Sequence, residues 1–302
     1  MPNLVTTFNC NNNCDFCFVD SENNEHELTM SVLKSMMPFI KSFRRNGVNL
    51  VGGEPTLAPN FYKILHYLLQ HDLRVNIFTN GKIKPDLVEK LQHLHIGNYS
   101  FCVNRSSEAV DSRITHFYKK LGYRIQLSVT ISSKSVMPVH ITEEILKYRL
   151  NKTVRVGIAL PMYPNRNNQY LKPEDYGETA ENLFSFFEDC LKYNIRPSFD
   201  CGFPYCFFNA KQKAFFEAHH IEFASNCGII PDIQPDGNVI PCFPLSKFTV
   251  DFTENSHWPD IRENLEHQLN SVGKRYLFDF CEECNDLREG RCCGGCSAFR
   301  FV

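Results

Sequence analysis

Three cysteines, Cys10, Cys14 and Cys17, fall within residues 10–17 of the chain. Thiolates spaced this closely on one loop can hold three irons of a four-iron cubane. The fourth iron then has no protein ligand, and an open iron is where a small molecule can be activated. The same residues could instead supply three of the four ligands of a zinc ion. A second stretch, Gly52-Gly53-Glu54-Pro55, follows about forty residues later. Its paired glycines let backbone approach a ligand closely, and Glu54 is an acceptor for an ammonium group. Taken alone, this stretch is a tight turn carrying a charge.

A second thiol system lies near the C-terminus. Cys227 and Cys242 bracket a hairpin pattern, followed by Cys281-x-x-Cys284 and Cys292-Cys293-Gly294-Gly295-Cys296. A Cys-x-x-Cys pair can occupy neighbouring positions on one metal, and glycines let backbone N–H groups face sulfur. Spacing alone fits a zinc site built from Cys227, Cys242, Cys281 and Cys284 equally well. The chain has 14 cysteines, which in a reducing compartment points to metal or redox chemistry before disulfides. Cys102 and Cys190 sit in strand and helix patterns and read as buried apolar residues. Cys293 reads as an unused neighbour of Cys292.

The elements that must position these groups alternate. Strands are expected at Leu4–Thr7, Val48–Val51, Arg74–Phe78, Tyr99–Val103, Arg124–Ile131 and Val154–Leu160, mostly apolar on both faces as in a buried parallel sheet. Helices are expected between them at Ser31–Arg45, Phe61–His71, Pro85–Leu94, Ser107–Leu121, Thr142–Leu150 and Pro173–Tyr193. Six βα units in succession predict an α/β fold with a partial (β/α)6 TIM-like barrel, whose chemistry belongs at the carboxyl ends of its strands. The cysteine loop leaves the first strand there. Gly52–Pro55 leaves the second, and Phe78-Thr79-Asn80-Gly81 leaves the third. Beyond Tyr193, Arg196–Phe199 reads as one more strand leading to Cys201 and Cys206, and Ala210–His219 and Pro259–Val272 read as helices. Ile233–Ile240 reads as a hairpin turning on Asp236-Gly237. The expected division is a barrel over residues 1–195 and a small cysteine-rich extension over residues 196–302.

The 302-residue chain has a formal net charge of -2, so it lacks the basic footprint of a nucleic-acid binder. No apolar run is long enough for a membrane span. Met-Pro-Asn-Leu-Val lacks the charged-then-apolar pattern of a signal segment, which predicts a cytoplasmic protein.

The three-cysteine loop together with the Gly-Gly-Glu-Pro turn resembles the signature of the radical S-adenosylmethionine (radical SAM) enzymes over roughly residues 1–195. The resemblance implies a [4Fe–4S] cluster on Cys10, Cys14 and Cys17, with the amino and carboxyl groups of SAM on the open iron. It implies that Phe16 lies near the adenine and that Gly52, Gly53, Glu54 and Pro55 contact the SAM amino group. Asn80, Asn104, Ser128, Thr130 and Leu160, at or near later strand ends, are candidates for further SAM contacts. The Gly-x-Ile-x-Gly pattern of the family's fifth strand is missing here. The C-terminal cysteines resemble the SPASM and twitch extensions of these enzymes, which carry auxiliary [4Fe–4S] clusters. Cys227, Gly237, Cys242, Cys281 and Cys284 fit that signature. Seven residues, a longer gap than in a full SPASM pattern, separate Cys284 from Cys292, and no cysteine follows Cys296. The expected auxiliary ligands are Cys227, Cys242, Cys281, Cys284, Cys292 and Cys296, for one or two clusters. Two clusters with four cysteines each need one more thiol than this group of seven holds, and Cys201 or Cys206 could provide it.

The resemblance further implies reductive cleavage of SAM to a 5′-deoxyadenosyl radical, which takes a hydrogen atom from substrate. An external donor such as flavodoxin or ferredoxin would supply the electron. Modification of a peptide or protein by oxidation, crosslinking or epimerisation ranks first. Dehydrogenation or epimerisation of a small metabolite such as an aminoglycoside ranks second. For epimerisation, Cys201 and Cys206 are candidate hydrogen donors. A zinc-stabilised binding protein is the non-enzymatic alternative.

Overall fold

The computed structural model describes residues 1–19, 26–94, 98–105, 110–135, 140–164, 168–223, 225–253, 256–271 and 276–301. The expected helix start at Ser107 and helix end at Val272 lie outside these residues. Seven strands follow one another in chain order and pair in parallel: β1 (Asn3–Thr7), β2 (Gly47–Gly52), β3 (Arg74–Thr79), β4 (Tyr99–Asn104), β5 (Ile125–Ile131), β6 (Thr153–Ile158) and β7 (Arg196–Phe199). Parallel neighbours require crossovers. Helices α1 (Met30–Lys41), α2 (Phe61–Gln70), α3 (Pro85–Gln92), α4 (Ser112–Leu121), α5 (Ile141–Tyr148) and α6 (Tyr176–Lys192) provide them.

Register explains which face the helices cover. Leu4, Leu50, Ile77, Phe101 and Ile125 are aligned across β1–β5, and all are fully buried. The alternate row begins Asn3, Asn49, Asn76 and Ser100. Here the Asn49 amide donates to Asn3 Oδ1 at 2.7 Å, and the Ser100 hydroxyl donates to Asn76 Oδ1 at 3.2 Å. The expectation of strands apolar on both faces is therefore corrected: β3 and β5 alternate buried with half-buried positions. One face packs on helices, and the other mixes polar side chains such as Asn76 and Ser100 with Val5, Val51, Phe78 and Cys102.

The sheet continues past residue 195 at both edges. β7 pairs with β6 on one side. On the other, β8 (Asp232–Ile233) pairs in parallel with β1 and in antiparallel with β9 (Val239–Ile240), giving the order 7-6-5-4-3-2-1-8-9. The Asn3 amide fixes this junction by donating to Asp232 Oδ1 at 2.6 Å. The hairpin does not turn on Asp236-Gly237 alone. Gly237 N donates to Gln234 O at 3.0 Å, which puts Pro235 and Asp236 at the centre of the turn and leaves Gly237 at φ +101°. A two-residue hairpin turn on Asp-Gly needs positive φ at Asp. Pro235 instead favours an ordinary turn, with the left-handed residue after it.

Beyond β7, a ring cluster anchors the chain. Phe203, Phe207 and Phe208 are buried, and Phe199 packs on Phe203 and Phe208, both at 5.2 Å between ring centres. Helix α7 (Ala210–Ala218) begins in a capping box between Asn209 and Gln212. The remaining helices are α8 (Trp258–Ser271) and the single turn α9 (Asn285–Arg288).

Candidate active site

The strand ends bring the expected residues to one mouth. After β1 the chain runs directly into the loop of Cys10, Cys14 and Cys17. Val5, Phe8 and Phe243 form a small apolar cluster, with Val19 and Val51 packed on it. Phe18 stacks on Phe243 with ring centres 5.1 Å apart.

The neighbouring Gly52-Gly53 turn grips this loop. Gly53 N donates to Thr7 O at 2.9 Å, and Glu54 N donates to Asn9 O at 2.8 Å. A side chain at Gly53 would place Cβ 2.4 Å from Asn9 O, and one at Gly52 would sit 2.2 Å from Thr7 O. Gly52 also has φ +143°, a region that favours glycine. The close approach these glycines allow is to the cysteine loop itself.

Glu54 is fully buried. Its Oε1 accepts from Thr56 N (3.2 Å), Thr56 Oγ1 (2.6 Å) and Thr79 Oγ1 (2.8 Å), and its Oε2 accepts from Asn80 N at 2.8 Å. Most of the acceptor capacity of a carboxylate is thereby used on the strand ends. Burial pushes the carboxyl above its ordinary pKa, opposed by these hydrogen bonds. Glu54 thus ties the end of β2 to the end of β3. From there the Asn80 amide reaches Asn11 Oδ1 at 2.8 Å, and Lys82 Nζ reaches Asn12 Oδ1 at 2.9 Å.

Each sulfur of the loop already has an N–H donor. Asn12 Nδ2 lies 3.2 Å from Cys14 Sγ, Val19 N lies 3.4 Å from Cys17 Sγ, and Asn80 Nδ2 lies 3.9 Å from Cys10 Sγ. Burial raises the Cys10 and Cys17 thiols, and their neighbours Cys14 and Cys10, respectively, add to the rise. Among the described residues, no three Cys, His, Asp or Glu side chains gather closely enough to hold a single metal ion. A cubane takes each thiolate on a different iron, and hydrogen bonds to sulfur tune its potential, so this donor set fits a cluster.

The other wall supplies the second half of the mouth. Asn104 Nδ2 donates to Thr130 Oγ1 at 3.2 Å, while Asn104 Oδ1 is buried with no partner among the described residues. An orphaned buried acceptor at a strand end fits a hydroxyl or amino group of a ligand such as SAM. Ser128 contributes its carbonyl, which accepts from Arg105 N at 2.8 Å. Arg105 is locked by a buried ion pair with Glu144, at 2.9 Å from Nη2 to Oε1. Phe16 is half-buried on the cysteine loop. The Asn168 amide bridges that loop to the end of β6 by donating to Leu160 O at 2.8 Å and Phe16 O at 3.4 Å. Farther in, Cys102 is buried in β4, and Arg155 pairs with Asp200. Sequence reasoning missed Asn168, Lys82 and Asn12, because a polar residue in a loop gives no local sign of what it will bridge.

The C-terminal thiols are spread over several segments. Cys201 and Cys206 follow β7, Cys227 precedes β8, Cys242 follows β9, and the remaining five flank α9. Cys227 and Cys296 share a hydrogen bond that holds Cys227 down at about 5 and raises Cys296. Cys293 Sγ accepts from Cys227 N at 3.0 Å.

Comparison with known proteins agrees with this geometry. Residues 4–121 match the family model described as Radical SAM superfamily. The cysteine-type anaerobic sulfatase-maturating enzyme of Clostridium perfringens is 24% identical, over 96% of this chain and 86% of that one. The AdoMet-dependent heme synthase of Methanosarcina barkeri is also 24% identical, over 100% and 93%. Among solved structures, anSMEcpe with bound AdoMet superposes with a TM-score of 0.68 at 20% identity, covering 97% of this chain and 88% of that one. Streptococcus suis SuiB bound to precursor peptide SuiA gives 0.67 at 16% identity, covering 98% and 71%. Both structures share the fold. No helix among the described residues is long and apolar enough to cross a membrane. Residues 4–121 thus form a radical SAM domain, and the chain is an enzyme that works with S-adenosylmethionine and a [4Fe–4S] cluster.

Proposed function

We propose that this radical SAM enzyme modifies a peptide or protein side chain by hydrogen abstraction, ending in oxidation, a crosslink or epimerisation. The observation that carries the reading is the cysteine loop with one N–H donor at each sulfur, clamped beside the Gly52–Pro55 turn at the sheet end where Asn104 Oδ1 has no partner among the described residues. Cys10, Cys14 and Cys17 would hold the cluster. Asn104, the backbone of Gly52–Pro55 and the neighbourhood of Phe16, Asn80, Ser128 and Leu160 would hold SAM. The bound pair supplies a 5′-deoxyadenosyl radical for abstraction of a substrate hydrogen. The chain's own residues keep that geometry fixed: Glu54 and Lys82 hold the loop from one side, and Asn168 holds it from the other. The C-terminal thiols would hold one or two auxiliary clusters, and a donor such as flavodoxin or ferredoxin would deliver the electron in the cytoplasm.

Support for a peptide substrate comes from the sulfatase-maturating relative and from the fold shared with SuiB, solved with a precursor peptide. The full-length similarity to a heme synthase favours a small-molecule substrate as the second reading. Incubating the reduced enzyme with SAM in deuterated water, alongside a peptide library and a metabolite extract, separates the two. The first reading expects peptide masses shifted by hydrogen loss or deuterium uptake. Shifts confined to the metabolites would overturn it.

A further inference from the structure

The auxiliary-cluster reading leaves a counting problem, because the thiols after residue 226 number seven and two four-cysteine clusters need eight. Position in the fold resolves it. One cavity of the C-terminal region is lined by Cys281, Cys284 and Cys292 from the segments around α9, and by Cys206 from the turn after β7. Cys206 is held there by the barrel. Phe207 N closes the turn onto Pro204 O at 2.9 Å, and the Phe207 ring packs on Tyr176 at 4.8 Å and on Phe203 at 5.0 Å. On the opposite side, Gly294 and Gly295 adopt φ +86° and +91°. A Cβ on them would lie 2.6 Å from Tyr276 and 2.9 Å from Leu277, so the chain folds tightly beneath the cavity. Electrostatics give the same grouping: Cys206 is raised first by burial and then by Cys292, Cys281 and Cys284. Cys201 is raised by burial and by Asp200 and Cys227. Cys242 is raised by burial and then by Asp232, Cys227 and Cys201, and Cys227 contacts Cys296.

We propose that Cys206 is the fourth thiolate of an auxiliary [4Fe–4S] site formed with Cys281, Cys284 and Cys292. A thiol carried by the segment after β7 thus completes this set of four. The sorting leaves Cys201 with Cys227, Cys242 and Cys296 as the second set of four. Cys293 belongs to neither, and neither Cys201 nor Cys206 remains a free hydrogen donor.

The inference rests on the auxiliary-cluster reading, and its test separates the two. A full-length variant with Cys10, Cys14 and Cys17 all changed to Ala removes the SAM-binding cluster. After anaerobic reconstitution it should retain about eight irons per chain. In that background Cys206→Ala should lose about half of the iron, or keep it with an altered electron paramagnetic resonance signal from one reduced cluster. Cys206→Ser retains an oxygen ligand and should shift the same signal. Cys293→Ala should change neither iron nor spectrum. Full iron and an unchanged spectrum in both Cys206 variants would overturn the proposal with auxiliary clusters intact. An iron-free parent would overturn the auxiliary clusters themselves.

Discussion

Glu54 gives the sharpest test of how the mouth is built. As a direct partner of the SAM ammonium group, its removal would weaken SAM binding and leave the fold alone. In the structure it is a fully buried carboxylate accepting from two backbone N–H groups and two hydroxyls. Glu54→Ala leaves Thr56 N and Asn80 N without their acceptor, while the hydroxyls of Thr56 and Thr79 can rotate to other partners. Each orphaned buried N–H costs about 1–3 kcal/mol, so the sum is about 2–6 kcal/mol. In Glu54→Gln the amide oxygen can still accept from Asn80 N. Its NH2 group can donate to the two hydroxyls, leaving only Thr56 N unpaired, at about 1–3 kcal/mol. Anaerobic guanidinium unfolding of the cluster-loaded protein should therefore rank the parent above Gln and Gln above Ala. SAM affinity, measured by calorimetry, should fall in the same order because Asn80 and the cysteine loop shift together. A Glu54→Ala protein within about 0.5 kcal/mol of the parent, but with SAM binding lost, would refute the clamp and restore the direct contact.

Other consequences follow from buried charges elsewhere in the fold. Glu144→Ala removes the carboxylate that grips the buried Arg105 guanidinium through both Nε and Nη2. It should cost about 3–5 kcal/mol in unfolding free energy, and SAM affinity should fall because Arg105 follows Asn104 directly. Burial raises the Asp232 carboxyl to about 7 against an ordinary 3.8, with Asn3 donating to it. Its folded pKa lies above the unfolded one, so its contribution is complete below about 4 and lost as pH rises through about 7. Thermal unfolding from pH 5 to 8.5 should show that decline in the parent and a flatter profile in Asp232→Asn. Equal slopes would remove Asp232 as the cause.

Much of this was legible in the residues because it is local. The three-cysteine loop, the Gly-Gly-Glu-Pro turn and six of the parallel strands lie where periodicity and spacing put them, with ends differing by a residue or two. Arg196–Phe199 was legible as a strand, but its four residues do not say which sheet they join. The same limit applies to β8, two residues long, whose pairing with β1 depends on Asn3 meeting Asp232 across the fold. The hydrogen bonds that surround Glu54 were not legible in the sequence. Its carboxylate meets Thr79 and Asn80 only when the next strand end arrives beside the turn. Ligand grouping was hidden too, since Cys206 meets Cys281 only after the aromatic cluster has placed the segment that follows β7.

The central claim is that Cys10, Cys14 and Cys17 carry the cluster that opens SAM. Anaerobically reconstituted protein with its iron counted, incubated with SAM and dithionite, should form 5′-deoxyadenosine over time. Cys14→Ala, folded and still holding its C-terminal iron, should form none. A fully iron-loaded parent that produced no deoxyadenosine, or a Cys14→Ala variant that continued to produce it, would contradict the account.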